Sequence, residues 1–287
     1  MSTYIPPLPD IVLEPIVRLA LQEDLGRAGD LSTDATILPE TEMQVTITAR
    51  QEGVIAGLDA ASLALRLVDA TVTLTINAPD GSLVTPGTHV ATLSGKARSI
   101  LTAERTMLNF MGRLSGIASF TRKFVDAIDG TSAKIVCTRK TTPGHRAVEK
   151  RAVRCGGGTS HRYGLDDAIL IKDNHIAAAG SVEAALTRAK DYAGHLRMIE
   201  IEVDTLEQLE TVIPLKPHAV LLDNMSNDDL RRAVAMVDGA FTTEASGGVN
   251  MTTVRGIAET GVDFISVGAL THSAPNMDLG MDFKSHA

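Results

Sequence analysis

Met198-Ile199-Glu200-Ile201-Glu202-Val203, Ala219-Val220-Leu221-Leu222, Phe241-Thr242-Thr243-Glu244-Ala245 and Phe264-Ile265-Ser266-Val267 begin 21, 22 and 23 residues apart. Each is an apolar, β-prone run of strand length, and the spacing is close to the pitch of one β/α unit. Two similar runs, Lys134–Cys137 and Ala168–Ile171, precede them, while Val182–Tyr192, Asn227–Val237 and Thr252–Glu259 fill gaps with helical periodicity. Strands alternating with helices predict a parallel sheet, open or closed into a barrel.

Upstream the period changes. Met107, Leu108, Met111, Leu114, Ile117, Ala118 and Phe124 recur at helical spacing and predict one long core-facing helix. Ahead of it the chain reads as α+β. A helix runs from about Ile11 to Glu23 and ends near Gly26. Period-two segments Val45–Ala49 and Val72–Ile76 follow, then a Pro86-Gly87 turn and a short strand Val90–Leu93. An antiparallel sheet with one covered face fits this pattern.

Composition narrows the function. With 44% hydrophobic and 22% charged residues, the 287-residue chain is globular, neither disordered nor fibrous. Aromatics are 3% and Trp is absent, so the core is aliphatic and base stacking is disfavoured as a working mode. No apolar run nears the ~20 residues of a membrane span. Met1 to Asp10 carry three prolines and no signal-peptide pattern, and Cys137 and Cys155 form no CxxC pair. A cytoplasmic protein without membrane or nucleic-acid partners is expected, the formal charge being −8. Against that balance, Arg139 to Arg162 holds seven Lys/Arg and one acid. The window is therefore net +6 and the remainder −14. Gly144 and Gly156-Gly157-Gly158 interrupt the run, which favours focusing of a small anion over a plain solvated helix.

All six β-runs end in polar or glycine residues, on the side where parallel α/β folds build their active sites. The cationic set there is Arg139, Lys140, His161, Arg162 and Lys172, following Thr138. Guanidinium forks among them suit carboxylate or phosphate. Glu202 and Asp223, 21 residues apart on neighbouring strands, can hold Mg²⁺ or sugar hydroxyls, or instead form a salt bridge to Lys172 or Lys140. Ser246-Gly247-Gly248 and Gly268-Ala269 offer backbone N–H groups after the last two strands, a common phosphate position. His161 and His175 lack a third metal ligand at recognisable spacing, and His175 reads as structural. Cys137 reads as core packing, Cys155 has no His partner for nucleophilic work, and Pro6-Pro7-Leu8-Pro9 reads as an extended lead-in.

Several ordered motifs carry a resemblance. Glu23-Asp24-Leu25-Gly26, Thr138-Arg139-Lys140-Thr141-Thr142-Pro143-Gly144, Gly156-Gly157-Gly158 through His161-Arg162, and Leu170-Ile171-Lys172-Asp173-Asn174-His175 resemble the quinolinate phosphoribosyltransferase family. So do Glu200-Ile201-Glu202-Val203, Leu221-Leu222-Asp223-Asn224, Glu244-Ala245-Ser246-Gly247-Gly248 and Val267-Gly268-Ala269-Leu270-Thr271. The resemblance implies an N-terminal α/β sandwich domain over 1–108 and an open, incomplete α/β barrel over 109–272, with the tail 273–287 packing back on the first.

It further implies transfer of ribose 5-phosphate from phosphoribosyl pyrophosphate to the quinolinate ring nitrogen. Decarboxylation to nicotinate mononucleotide follows. Arg139, His161, Arg162 and Lys172 would hold the carboxylates, Lys140 the pyrophosphate, and Glu202 and Asp223 the ribose hydroxyls and Mg²⁺. Ser246, Gly247, Gly248, Gly268, Ala269 and Leu270, with His272, would take the 5-phosphate. Arg105 would cross into the partner's site in a homodimer. Two residues depart from the family pattern: Ser160 where Asn is usual, and His145 where an apolar residue is common. A molybdenum-uptake paralogue of the same scaffold, a barrel aldolase forming a Schiff base at Lys172, and a noncatalytic nucleotide binder stand as alternatives.

Overall fold

The computed structural model describes residues 5–283. The first part of the chain folds as α1 (Asp10–Leu25), α2 (Leu31–Thr36), β1 (Glu42–Ala49), β2 (Gly53–Val54), α3 (Leu58–Val68), β3 (Thr73–Ile76), β4 (Leu83–Val84), β5 (His89–Lys96) and α4 (Ala97–Ala127). Then come β6 (Lys134–Val136), α5 (Arg146–Cys155), β7 (Ile169–Ile171), α6 (Asp173–Ala179), α7 (Val182–Tyr192), β8 (Ile199–Val203), α8 (Leu206–Val212) and β9 (Ala219–Asp223). Last are α9 (Asn227–Val237), β10 (Thr242–Ser246), α10 (Val254–Ala258), β11 (Phe264–Ser266), α11 (Ala269–His272) and β12 (Leu279–Phe283).

Two compact units result. One runs to Arg122 and takes in Thr141–Gly157 and the segment from Thr271 onward; the other is Lys123–Lys140 with Gly158–Leu270. The boundary between them falls within α4, after Arg122, and α5 is counted with the first unit.

The first unit has a four-stranded antiparallel sheet, ordered β12-β1-β5-β3, and a small β2–β4 pair. Val45, Ile47, Val90 and Leu93 are buried in its core, and α3 buries Leu58, Leu63 and Leu65, on more than one side of the helix. From the tail, β12 pairs antiparallel with β1, Ile47 opposite Met281; residues 284–287 lie outside those described. Helix α5 explains its own placement. Val148, Ala152 and Val153 are buried, and a Cβ on Gly156 would sit 2.2 Å from the Ala118 carbonyl of α4, so only glycine permits that approach.

Arg151 is buried with Asp59 and Asp80, at 3.3 and 2.5 Å, and its Nε donates to the Pro6 carbonyl. Burial pushes the Asp80 carboxyl up against the pull of Arg151. The basic window is therefore divided: Arg146, Lys150, Arg151 and Arg154 belong to the first unit, and Lys150 is fully buried. The glycines do not break this helix but bound it.

Burial, then the charge of Asp80, pushes the Cys155 thiol up to about 12. At pH 8 about one molecule in ten thousand carries the thiolate. Cys155 is expected to resist iodoacetamide in the folded protein and to react only after denaturation. Rapid stoichiometric labelling of native Cys155, read by mass spectrometry, would contradict this.

The second unit is a six-stranded parallel sheet in the order β6-β11-β10-β9-β8-β7. Its helices lie on the chain between strands, with α7, α8 and α9 capped by the hydroxyls of Ser181, Thr205 and Ser226. Among the described residues β6 and β7 do not pair, so the sheet stays open. Val136 does bridge to Thr159, where the chain returns to this unit.

Candidate active site

All six strands of the second unit deliver residues to one cavity of about 440 Å³. Thr138, Arg139 and Lys140 come from beyond β6, Leu170 and Lys172 from β7, Glu202 from β8, Leu221 and Asp223 from β9, Glu244 and Ser246 from β10, and Ser266 from β11; His161 and Arg162 join them. Residues from both edge strands meet in this one pocket, as the incomplete barrel requires. Alternation explains the membership. In β8 the buried Ile199, Ile201 and Val203 face one way and Glu200 and Glu202 the other.

Two of the cations, Arg139 and Arg162, keep a buried donor unused. Arg162 donates through Nη1 to the Ala168 carbonyl at 3.0 Å. The buried Nε of Arg162 and that of Arg139 have no hydrogen-bond partner. Burial, and then the positive charge of Arg139, pushes the Arg162 pKa down. Two guanidiniums held close enough to repel, each with a desolvated donor unused, form a receptor for an anion. After Arg162 the chain turns on Asp167, whose carboxylate accepts the N–H groups of Tyr163 and Gly164. Burial raises the Asp167 carboxyl, but those bonds, a third from its own N–H and the charge of Arg162 together make the net shift downward.

Lys172 Nζ lies 2.9 Å from Glu202, so the salt-bridge reading of that carboxylate holds in the free protein. Lys172 is 47% exposed, lacking the burial that a Schiff-base lysine needs. Asp223 has no ion pair among the described residues, and its Oδ2 accepts from Asn224 Nδ2 at 2.6 Å. One oxygen each from Glu202, Asp204 and Asp223 gathers within 4.8 Å. Hard oxygens so close together fit Mg²⁺.

Spacing along the chain shows no third metal ligand beside His161 and His175; in the fold Glu200 stands 3.0 Å and Glu244 3.7 Å from His161 Nε2, and the three gather within 4.8 Å. Glu200, Glu244 and Asp204 are not among the site candidates named from the sequence. The signal was present, since the period of two that puts Glu202 inside also puts Glu200 and Asp204 on that side.

Ser246 lines the cavity, whereas Gly247, Gly248, Gly268, Ala269 and Leu270 follow β10 and β11 without forming its wall. Leu270 is fully buried. Gly247 has φ +88°, and a Cβ there would lie 2.1 Å from Asn224 Oδ1. Asn224, itself at φ +54°, donates its N–H to the Ser246 carbonyl. The turns after β9 and β10 thus interlock.

Arg105 and His272 fall in the first unit, and both are exposed. His272 Nδ1 is 2.7 Å from Ser273 Oγ. His145 stacks on Phe110 at 6.3 Å between centroids, and the half-buried Ser160 has a buried hydroxyl without a hydrogen-bond partner.

An open parallel α/β sheet with cations, a carboxylate cluster and a glycine turn at its strand ends defines an enzyme of small, multiply anionic substrates. Models of the quinolinate phosphoribosyl transferase N-terminal and C-terminal domains match residues 30–115 and 117–282, and the chain belongs to that family. A nicotinate-nucleotide pyrophosphorylase (carboxylating) of Mycobacterium leprae is 45% identical, over 93% of this chain and 95% of its own. A probable enzyme of the same name from Bacillus subtilis is 42% identical, over 91% and 89%. The solved nicotinate-nucleotide pyrophosphorylase of Francisella tularensis superposes with TM-score 0.94 at 38% identity, covering 99% of this chain and 100% of that one.

Proposed function

We propose that this chain joins quinolinate to the ribose 5-phosphate of phosphoribosyl pyrophosphate and releases pyrophosphate and CO₂, forming nicotinate mononucleotide for NAD biosynthesis. The observation that carries it is the pair of buried, unspent guanidinium donors of Arg139 and Arg162 beside the Glu202–Asp223 carboxylates. A dianionic pyridine satisfies the first set, and a sugar developing positive charge suits the second.

The roles follow from charge. Arg139 and Arg162 grip the substrate carboxylates, with Lys172 exchanging Glu202 for substrate and Thr138 and His161 completing the wall. As the bond from the ribose carbon to pyrophosphate breaks, positive charge grows on the sugar and negative charge on the leaving oxygens. Asp223 and Glu202 stabilise the former, and the exposed Lys140 meets the latter. The ring nitrogen then supplies the electron pair for the new C–N bond. Once quaternised, it draws the electrons of the breaking carboxylate bond, CO₂ departs, and solvent returns a proton to the ring carbon. Positioning of this kind supplies ~7–11 kcal/mol of barrier lowering.

Glu202, Asp204 and Asp223 would hold Mg²⁺, which when bound neutralises pyrophosphate charge. Ser246, Gly247, Gly248 and Gly268 to Leu270 would receive the 5-phosphate on backbone N–H groups, and the family resemblance adds His272. Arg105, exposed on α4, would enter the site of a second copy in a homodimer acting in the cytoplasm. No helix among the described residues is long and apolar enough to cross a membrane.

Release of labelled CO₂ from quinolinate, dependent on phosphoribosyl pyrophosphate and matched one-to-one by pyrophosphate, is the expected assay result. No release from folded protein would end the proposal. Gly247→Ala is expected to raise KM for phosphoribosyl pyrophosphate at least tenfold and to cost ~1–3 kcal/mol of stability, since Ala must take a left-handed φ against Asn224. Steady-state kinetics and thermal denaturation check both parts.

A further inference from the structure

Glu200 does not line the cavity, is not solvent-exposed and carries no role in the reaction described above. Its surroundings are specific. The backbone N–H of Arg162 donates to His161 Nδ1 at 2.7 Å. A nitrogen that accepts cannot carry the proton, so His161 is the Nε2–H tautomer. That N–H faces Glu200 Oε2 at 3.0 Å, both side chains being 12% exposed. Glu200 also lies close enough to Arg162 to favour its charged form. A continuous line therefore runs from the Glu200 carboxylate, through the imidazole, to the backbone of the residue whose guanidinium faces the cavity.

We propose that Glu200 is a positioning residue: it fixes the tautomer and ring orientation of His161, and through it the backbone of Arg162. Carboxylates that orient a working imidazole are a general device, here turned to holding a cation's main chain. Without Glu200, the Nε2–H would turn toward Glu244 Oε1, now 3.7 Å away, and Nδ1 would leave the Arg162 N–H. Lost precision at Arg162 then weakens the grip on the dicarboxylate. The kinetic part of the inference rests on the function proposed above; the tautomer does not.

Two variants separate charge from hydrogen bonding. Glu200→Gln removes the charge but keeps an oxygen that accepts from Nε2–H, whereas Glu200→Ala removes both. In ¹⁵N-histidine NMR of the substrate-free protein, wild type and Glu200→Gln are expected to show His161 as the Nε2–H tautomer and Glu200→Ala a mixture. In kinetics, Glu200→Ala is expected to raise KM for quinolinate about tenfold relative to Glu200→Gln, with KM for phosphoribosyl pyrophosphate within threefold of wild type. Glu200→Ala combined with His161→Ala should be no worse than His161→Ala alone. An unchanged tautomer in Glu200→Ala, or equal quinolinate KM in the two single variants despite active wild type, overturns the inference. A purely structural role would instead lower Tm and leave that KM ratio at one. Wild type that fails to turn over quinolinate while showing the expected tautomers counts against the proposed function alone.

Discussion

Arg139→Ala is expected to lower kcat/KM for quinolinate by about 10²–10³ while the folded protein becomes no less stable. The first part follows from the unspent Nε and the fork it belongs to. A bidentate guanidinium–carboxylate contact contains two charge-assisted bonds worth ~1.5–3 kcal/mol each, and every 1.4 kcal/mol is tenfold. The second part follows from repulsion. Arg139 sits near enough to Arg162 to depress its pKa, and its own buried Nε has no partner to lose. Removing it relieves a like-charge contact, so Tm is expected to hold or rise, the usual trade of stability for a preformed site. Arg139→Lys restores charge without the fork and is expected to recover only part of the loss. Quinolinate binding by calorimetry and Tm by scanning calorimetry give the two numbers. A falling Tm with intact binding would make Arg139 a structural residue and remove the main support for a dicarboxylate pocket.

How much of this was readable beforehand depends on whether the cause was local. The β-runs ending at Val203, Leu222 and Val267 were legible because a buried parallel strand needs a continuous apolar run and a polar stop. Arg139, Arg162, Lys172, Glu202 and Asp223 were legible for the same reason, each standing at or just past such a stop or its return loop. Helix α5 was not. Its ten residues hold four cations, and nothing local announces that Arg151 is buried on Asp59 and Asp80, which lie 92 and 71 residues away. The +6 window looked like one feature and is two, because the chain leaves the second unit at Lys140 and returns at Gly158. Glu200 shows an intermediate case. Its inward direction was fixed by its two-residue spacing from Glu202, but its partner His161 comes from a return loop that no periodicity describes.

Asp223→Asn is expected to lower kcat by about 10²–10³, leave KM for quinolinate within twofold, and leave the fold intact. The substitution keeps shape: the amide oxygen can still accept from Asn224 Nδ2, now at 2.6 Å, so the interlock with the Ser246–Gly247 turn survives. What disappears is one negative charge of the Glu202–Asp223 pair, at the moment when the ribose carbon becomes positive. Loss of a single preorganised electrostatic group at a developing charge costs ~2.7–4 kcal/mol. Glu202→Gln makes the sharper comparison because Glu202 holds Lys172 at 2.9 Å. That variant is also expected to lower kcat, but it frees the Lys172 ammonium for the substrate, so KM for quinolinate should fall. EDTA should stop wild-type turnover and Mg²⁺ restore it, as oxygen donors gathered within 4.8 Å lead one to expect. If Asp223→Asn keeps wild-type kcat, or if the two variants move quinolinate KM alike, the carboxylates are holding the barrel rim together and not the reacting sugar.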